Sequence, residues 1–239
     1  MRAVTELPVE IFGNPTWHAM HSRHRHLAVF EGGACRYLAQ VAPFGALAER
    51  GAEGFRDLRC LMEPGESLWV FADGIPAVEG LVADGTLPTL QMVLPVDVAI
   101  PDPVEGIERM SDASEMVALT DVAFPGFFRP RTCEMGEYFG IRSDGDLVAM
   151  GGERLMLDGY SEISGLCTHP AHRGKGYAAK LISHLARKHR AEGVVSWLHV
   201  AAANENAIEL YGRLGFRLVR QVTLQRVTAL AVDTHHPAK

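Results

Sequence analysis

Two glycines and two cationic side chains lie close together in the segment Arg173-Gly174-Lys175-Gly176-Tyr177-Ala178. The sequence predicts a strand ending at Thr168 before this segment and a helix beginning near Gly176. Glycine lets an anion approach the free backbone N–H groups at the start of a helix, where the helix dipole adds partial positive charge. The segment therefore predicts a loop that binds a pyrophosphate. A glycine-containing turn without a ligand is the alternative.

Composition and charge limit the classes of protein that fit. The 239 residues are 47% hydrophobic and 22% charged, values typical of a globular protein with a sizeable core. The formal net charge is −6, and proteins that clamp a nucleic-acid backbone present a basic face instead. We therefore expect no nucleic-acid partner.

The cysteines and the first residues of the chain indicate the cellular compartment of the protein. No Cys-x-x-Cys pair occurs among the four cysteines, so they predict neither a disulfide framework nor a zinc site. Residues 1–10 contain no apolar run long enough for a signal peptide, and no stretch approaches the length of a membrane span. These features indicate a cytoplasmic protein without a membrane partner.

A proline-rich segment divides the chain. Residues 95–103 contain three prolines and lack helical periodicity, which predicts a linker. We place a boundary near Pro103, giving an N-terminal α/β domain over residues 1–103 and a second domain over residues 104–239. Strands and helices alternate in both, so the expected fold class is α/β (α+β), with a mixed, partly parallel sheet flanked by helices.

The first half is predicted to contain short elements without a catalytic cluster. Asn14 is expected to cap a helix that begins at Pro15, and Gly32-Gly33 is expected to turn a hairpin. A helix is predicted over residues 54–62, with strands over residues 68–71 and 90–94.

The second half has a clearer pattern. Asp112 and Glu115 form a capping-box arrangement that opens a helix through residue 122. Ser143-Asp144-Gly145 is predicted to turn a hairpin between strands 138–142 and 147–157. The remaining predicted elements are a strand over 160–167, a helix over 176–190, a strand over 194–200, a helix over 206–214 and a strand from 216.

Residues 106–229 resemble the GNAT superfamily of N-acetyltransferases. The superfamily pattern Arg/Gln-x-x-Gly-x-Gly/Ala is matched by Arg173, Gly176 and Ala178. A second pattern, Asn-x-x-Ala-x-x-Leu-Tyr-x-x-x-Gly-Phe, is matched in a shifted form by Asn206, Ala207, Leu210, Tyr211, Gly215 and Phe216. The residues around Glu153 and from Glu162 to Pro170 resemble a bacterial, glycine-N-acyltransferase-like branch. By analogy, the N-terminal half would be a degenerate copy of the same fold.

The resemblance implies acetyl-CoA as co-substrate and no metal. The pyrophosphate would bind the glycine-containing loop, and main-chain groups of the preceding strand would line the pantetheine and face the thioester carbonyl. The residues implied in CoA binding are Leu166, Cys167, Thr168, Arg173, Gly174, Lys175, Gly176, Tyr177, Ala178 and Asn206.

The resemblance also implies acid and base groups. Tyr211 lies on the inner face of the last helix, and in the superfamily a tyrosine here protonates the departing thiolate; a core tyrosine bonded to the backbone is the alternative. Glu162 is the first candidate for the base that deprotonates the amine, with a pKa raised by burial, and Glu153 is the second. A salt bridge with Arg154 or Arg142 is the alternative for both.

Three further features carry weaker functional signals. Cys167 as an acyl-accepting nucleophile is disfavoured, because strand cysteines usually pack as small apolar residues. The histidines between residues 18 and 26 lack a nearby carboxylate and predict a surface cluster rather than a metal site. Phe124, Phe127, Phe128 and Arg129 would form the acceptor pocket or a lid, or else core aromatics and a surface arginine.

The sequence thus predicts an N-acetyltransferase that acts by direct transfer on a small primary amine, as a monomer or homodimer. Two alternatives stay open. One is an N-acyltransferase of amino acids that uses another acyl-CoA, and the other is a non-catalytic CoA-binding sensor.

Overall fold

The computed structural model describes residues 8–103, 105–123 and 125–231. The helices in this part of the chain are α1 (Val9–Phe12), α2 (Pro15–Met20), α3 (Ala52–Cys60), α4 (Ala113–Ala123), α5 (Tyr177–Ala191) and α6 (Glu205–Arg213). The strands are β1 (Ala28–Glu31), β2 (Ala34–Tyr37), β3 (Gly45–Leu47), β4 (Ser67–Phe71), β5 (Leu81–Val93), β6 (Ile107–Arg109), β7 (Tyr138–Ser143), β8 (Asp146–Leu157), β9 (Tyr160–Thr168), β10 (Val195–Ala201) and β11 (Arg217–Ala229).

A mixed sheet of eight strands forms the centre of the molecule. Its order is β4-β11-β5-β10-β9-β8-β7-β6. Strands β9 and β10 pair in parallel, with α5 as their crossover, and the other neighbouring pairs are antiparallel. The predicted α/β fold with a mixed, partly parallel sheet flanked by helices is therefore confirmed.

Strand β5 connects the two halves of the chain. It lies between β10 and β11 and pairs antiparallel with both, with β11 from Leu81 to Val93 and with β10 from Thr89 to Val93. The boundary predicted near Pro103 thus falls between two strands of one sheet. The division into domains 1–103 and 104–239, and the origin of the first as a degenerate copy of the second, stay predictions.

The N-terminal elements pack against the large sheet. Strands β1, β2 and β3 form a separate antiparallel sheet, and α2 packs on β8. The Phe12 ring contacts Trp197 and Tyr160 edge-on, with centroids 4.7 and 5.0 Å apart. Phe12 and Trp197 are both fully buried, so one hydrophobic core contains residues of both halves.

Most predicted elements are present, and both predicted helix starts are confirmed: α2 begins at Pro15 after Asn14, and α4 begins at Ala113 after Asp112. The Asn14 side chain donates to the carbonyl of Leu47 at 2.7 Å instead of accepting from the first N–H groups of α2. Asp112 accepts from Ser114 at the start of α4, whereas the Glu115 carboxylate binds Arg142. Asp112 thus caps α4 through the Ser114 N–H, whereas distant partners take the Asn14 side chain and the Glu115 carboxylate.

Strand β5 extends well beyond the predicted residues 90–94. Gly85 and Pro88 lie inside it, and both residue types weaken a strand pattern in sequence. No helix in the described part of the chain combines the length and apolarity needed to cross a bilayer.

Candidate active site

The loop between β9 and α5 has the backbone shape that its glycines permit. Gly174 and Gly176 have φ angles of +80° and +76°, in the left-handed region that favours glycine. Gly176 is the N-cap of α5, and no side chain bonds to the first N–H groups of the helix there. These groups are therefore available to an anion that approaches the helix start.

Two cationic side chains flank this helix start without a carboxylate partner. Arg173 makes only long hydrogen bonds, at 3.4 Å each, to the carbonyls of Thr168 and Ala123. Lys175 Nζ lies 3.4 Å from His172 Nδ1. Neither forms an ion pair with a described residue, so their charges add to the helix dipole. The predicted loop thus combines free N–H groups with uncompensated positive charge.

A cavity opens where β9 and β10 separate, along the end of β9 from which this loop continues. Their parallel pairing ends at Glu162 and Trp197, although β9 continues to Thr168 and β10 to Ala201. The cavity has a volume of about 360 Å³ and is lined by the diverging ends of both strands. Gly165 has a φ of +63° here, and a Cβ on it would lie 3.0 Å from Tyr138 Cε1. Glycine therefore permits both the backbone bend and the close approach of Tyr138.

Both halves of the chain line the cavity. Phe44, Leu87 and Thr89 come from before residue 103, and Phe127 and Phe128 come from the loop after α4. Phe127 and Phe128 thus lie in the wall of the cavity, in agreement with the interpretation that they form part of a pocket. Phe124 lies outside the described residues, and the Arg129 guanidinium donates to the Ala39 carbonyl outside the cavity lining.

Tyr211 lies on α6 and lines the cavity. Burial raises the pKa of its phenol to about 12, so the hydroxyl keeps its proton at neutral pH. Within the described residues, no hydrogen-bond partner of this hydroxyl is found. The structure therefore does not show the alternative, a core tyrosine whose hydroxyl bonds to the backbone.

Glu162 is completely buried and lies behind the cavity wall. Its carboxylate accepts two hydrogen bonds from Arg154, at 2.6 and 2.9 Å, and one from His199 Nδ1 at 2.7 Å. Burial alone raises the pKa of this carboxyl, but the Arg154 charge and His199 outweigh burial and bring the pKa to about 2. The expected rise in this pKa is thus wrong, and the salt bridge with Arg154 is present.

His199 lines the cavity in front of Glu162, although no sequence pattern singled it out. Its Nε2 lies 3.0 Å from Gln91 Nε2, which also donates to the Phe12 carbonyl. Since an amide nitrogen only donates, His199 Nε2 is the acceptor and Nδ1–H donates to Glu162. Burial lowers the pKa of His199, and the imidazole is therefore neutral at pH 7.

Glu153 faces α5 and does not line the cavity. Its Oε1 accepts from His189 and Lys188, at 2.8 and 2.9 Å, and its Oε2 accepts from the Glu137 N–H. Burial raises the pKa of the Glu153 carboxyl, but these hydrogen bonds outweigh burial and bring it to about 2.

The other residues predicted to bind CoA fall into two groups. Leu166 and Cys167 line the cavity, and Thr168 ends β9 beside the loop. Burial raises the pKa of the Cys167 thiol to about 12, which removes the thiolate a nucleophile needs. Asn206 is exposed on α6, whereas Asn204 caps α6 through the Ala207 N–H and lines the cavity. Asn204 also completes the spacing Asn-x-x-Ala, so the shifted match missed it.

The N-terminal histidines have separate partners. His18 and His21 bond to backbone carbonyls of Glu10 and Trp17, whereas His24 is buried against Tyr37. Among the described residues, no group of three or more His, Cys, Asp or Glu side chains is placed to hold a metal.

Known proteins share this sequence pattern and fold. The acetyltransferase (GNAT) family model matches residues 111–216. A GNAT-family protein from Novosphingobium aromaticivorans DSM 12444 is 31% identical, with a TM-score of 0.83, over 92% of this chain and 99% of its own. A GCN5-related N-acetyltransferase from Kribbella flavida shares the fold at 20% identity and a TM-score of 0.57, over 96% of this chain and 98% of its own. No curated protein matches the sequence. The family match and the 31% identical relative, which is matched over nearly its whole length, show that this chain belongs to the GNAT acetyltransferase family.

Proposed function

We propose that this protein transfers an acetyl group from acetyl-CoA directly to the primary amine of a small molecule. The observation that carries the proposal is the continuity of two features along β9. The glycine-containing loop that suits a pyrophosphate follows directly from the strand end that lines the cavity. A donor bound at the loop would therefore reach the cavity along Leu166, Cys167 and Thr168.

The loop has the chemistry that holds the donor. Backbone N–H groups from Gly174 to Ala178 would bind the pyrophosphate oxygens, supported by Arg173 and Lys175. Main-chain groups of Leu166 to Thr168 would face the pantetheine and the thioester carbonyl. Asn204 rather than Asn206 would contribute its amide to this part of the pocket, because only Asn204 lines the cavity.

Tyr211 is proposed as the acid that protonates the departing thiolate. Its phenol is protonated at neutral pH, lines the cavity and has its hydroxyl uncommitted within the described residues. A thiol has an ordinary pKa of about 8.5, so a thiolate expelled into a buried site benefits from a nearby proton donor.

His199 is proposed as the base, with Glu162 as its positioning residue. An attacking amine must lose a proton, and His199 is the neutral imidazole among the ionisable side chains that line the cavity. Its Nε2 accepts from Gln91 in this structure, so the Gln91 amide would turn away before Nε2 takes the amine proton. Glu162 fixes the tautomer through Nδ1 and stabilises the imidazolium that forms. We therefore propose that Glu162, which the sequence predicted to be the base itself, acts only by orienting His199. Glu153 faces α5, so we do not assign it the base.

Calorimetric titration with acetyl-CoA and with CoA tests the donor site. Wild-type protein should bind both, and Gly176→Glu should weaken binding at least about tenfold, because the new carboxylate repels the pyrophosphate. Gly145→Glu is the matched control, since Gly145 also has a positive φ (+93°) and a Cβ added to either glycine would meet no atom within 4 Å. It should bind like wild type.

Three results would contradict the proposal. Equal affinity of wild type and Gly176→Glu would mean that the loop is not the donor site. A folded wild-type protein that binds neither ligand would reject the transferase function altogether. Binding without turnover on any amine would instead favour the CoA-binding sensor.

A further inference from the structure

The cavity is lined by one permanently charged side chain. Among the described residues that line it, Arg154 is a cation, His199 is neutral, and none is a carboxylate or a lysine. Glu162, which pairs with Arg154, is completely buried and does not reach the cavity. A molecule in the cavity therefore meets a positive group and no negative one.

Arg154 uses only one edge of its guanidinium on Glu162. Nε and Nη2 donate to the two carboxylate oxygens, whereas Nη1 has no hydrogen bond to any described residue. The Arg154 side chain is 19% exposed, in contrast to the fully buried Glu162. The second edge, formed by Nη1 and the outer hydrogen of Nη2, thus remains open to the cavity. Such an edge matches a second carboxylate in a bidentate geometry.

The position of this edge is fixed by packing. The Phe44 ring lies 5.1 Å from Arg154 Cζ, in the range of a cation–π contact, and itself lines the cavity. The Leu155 N–H donates to Oε2 of Glu162 at 3.2 Å, the oxygen that also accepts from Arg154 Nε, which helps to hold the carboxylate in place. A preorganised donor pair loses little side-chain entropy when it binds an anion.

Two further hydroxyls are available in the same cavity. Tyr138 and Ser164 line the cavity without a hydrogen bond to any described residue. Burial raises the pKa of Tyr138, so its hydroxyl is protonated and can donate. In contrast, Thr120 and Thr132 also line the cavity but are already bonded to backbone carbonyls. The Tyr138 and Ser164 hydroxyls are therefore free to donate to an anionic group in the cavity.

Much of the remaining wall is apolar. Side chains of Phe127, Phe128, Ile163, Leu87 and Leu224 face the same space of about 360 Å³. A volume this small fits one compact molecule rather than an extended one. A second ammonium group on that molecule would face Arg154 and no carboxylate, which disfavours polycationic acceptors.

We propose that the acceptor is an amino acid with an apolar side chain, whose carboxylate binds the open edge of Arg154. The inference rests on the proposed function and names its acceptor class. The apolar wall holds the side chain, and the amino group is the nucleophile that attacks the thioester. The ammonium group of the amino acid gives one proton to His199, which releases it to solvent, and the neutral nitrogen then forms the amide bond as the carbon–sulfur bond breaks. Tyr211 gives its proton to the thiolate, and the second proton lost by the nitrogen restores the phenol.

The test compares acceptors that differ only at the carboxylate. L-phenylalanine and L-leucine are each assayed with acetyl-CoA beside their amides and their decarboxylated amines, and release of free CoA thiol is followed. Hydrogen bonds to a charged group correspond to a preference in kcat/KM of about 10- to 150-fold for the free amino acid. Equal or better turnover of the amides and amines would overturn the inference while leaving the transferase in place.

Two substitutions test whether Arg154 causes the preference for the free amino acid. Arg154→Lys keeps a positive charge beside Glu162 but lacks the second pair of N–H donors. The preference for the free amino acid should therefore fall to less than about threefold, with CoA affinity unchanged. Arg142→Lys is the matched control, because Arg142 is also a bidentate partner of a glutamate, Glu115, but does not line the cavity. It should keep the wild-type preference. A preference that survives Arg154→Lys would reject this guanidinium as the site.

Binding measurements test the carboxylate site at Arg154 separately from acetyl transfer. Calorimetry of the CoA complex with L-phenylalanine and with 2-phenylethylamine reads the pocket without turnover. Binding that requires both the carboxylate and Arg154, in a protein that acetylates neither molecule, would support the inference and reject the transferase. Absence of both binding and turnover for every amino acid tested would overturn the inference.

Discussion

Replacement of Glu162 by glutamine tests the buried cluster behind the cavity. The pKa of this carboxyl lies near 2 instead of its ordinary value of 4.5. That difference corresponds to about 3 kcal/mol of stabilisation of the charged form in the folded protein. Glutamine keeps the shape but leaves the Arg154 charge uncompensated, so Glu162→Gln should lower the free energy of unfolding by about 3 kcal/mol at pH 7.

The pH dependence follows from the direction of the shift. Because the folded pKa is below the unfolded one, the contribution is complete above about pH 4.5 and is lost as the pH falls toward 2. The wild-type advantage over Glu162→Gln should therefore narrow by roughly 1 kcal/mol between pH 7 and pH 4. Urea denaturation followed by tryptophan fluorescence measures both values, since Trp197 is fully buried.

Glu209→Gln is the matched control. The Glu209–Arg213 pair has the same N···O distance as Glu162–Arg154, 2.6 Å, but its side chains are 70% and 61% exposed. Water screens an exposed pair, so this change should lie within the error of the measurement. A loss below about 1 kcal/mol for Glu162→Gln, or equal losses for the two variants, would refute the reasoning that burial sets the strength of the cluster.

The remaining predictions concern the reaction itself. Tyr211→Phe should lower kcat about 100-fold while calorimetry shows unchanged CoA affinity, because only the proton donor is removed; unchanged kcat would exclude this acid. Wild-type kcat/KM should rise with pH through a pKa below 6.5 and stay level above it, because burial lowers the pKa of His199 and only the neutral ring accepts a proton. His199→Asn should lower kcat/KM about 100-fold and remove that limb, and persistence of the limb would assign it to another group. Cys167→Ala should keep turnover within roughly threefold, whereas an acylated Cys167 detected by mass spectrometry would contradict direct transfer.

Features that depend on neighbouring residues could be predicted from the sequence. The loop from Arg173 to Ala178 and the helix face that carries Tyr211 follow from spacing within a few turns of chain. The structure places the loop at the start of α5 and Tyr211 at the cavity. Asn204 was within reach of the same motif and was missed by a two-residue shift in the match.

The cluster behind the cavity could not be predicted in this way. Arg154, His199 and Gln91 lie on β8, β10 and β5. The first two meet through Glu162 on β9 between them, and Gln91 reaches His199 because β5 is the next strand beyond β10. Local pattern does not determine strand order. The direction of the Glu162 pKa was missed for the same reason, since burial was foreseeable but its partners were not.

The position of β5 also affects how the chain matures on the ribosome. Its partners are the late strands β10 and β11, so β5 leaves the ribosome long before Ala229, which pairs with Leu81, has been synthesised. At about 5–20 residues per second, synthesis from Val93 to Ala229 leaves this 13-residue strand without its full set of neighbours for roughly 7 to 27 s. An apolar segment unpaired for that long is a binding site for chaperones and a starting point for aggregation. Production of this protein should thus depend more on translation speed and chaperone supply than the stability of the finished fold suggests.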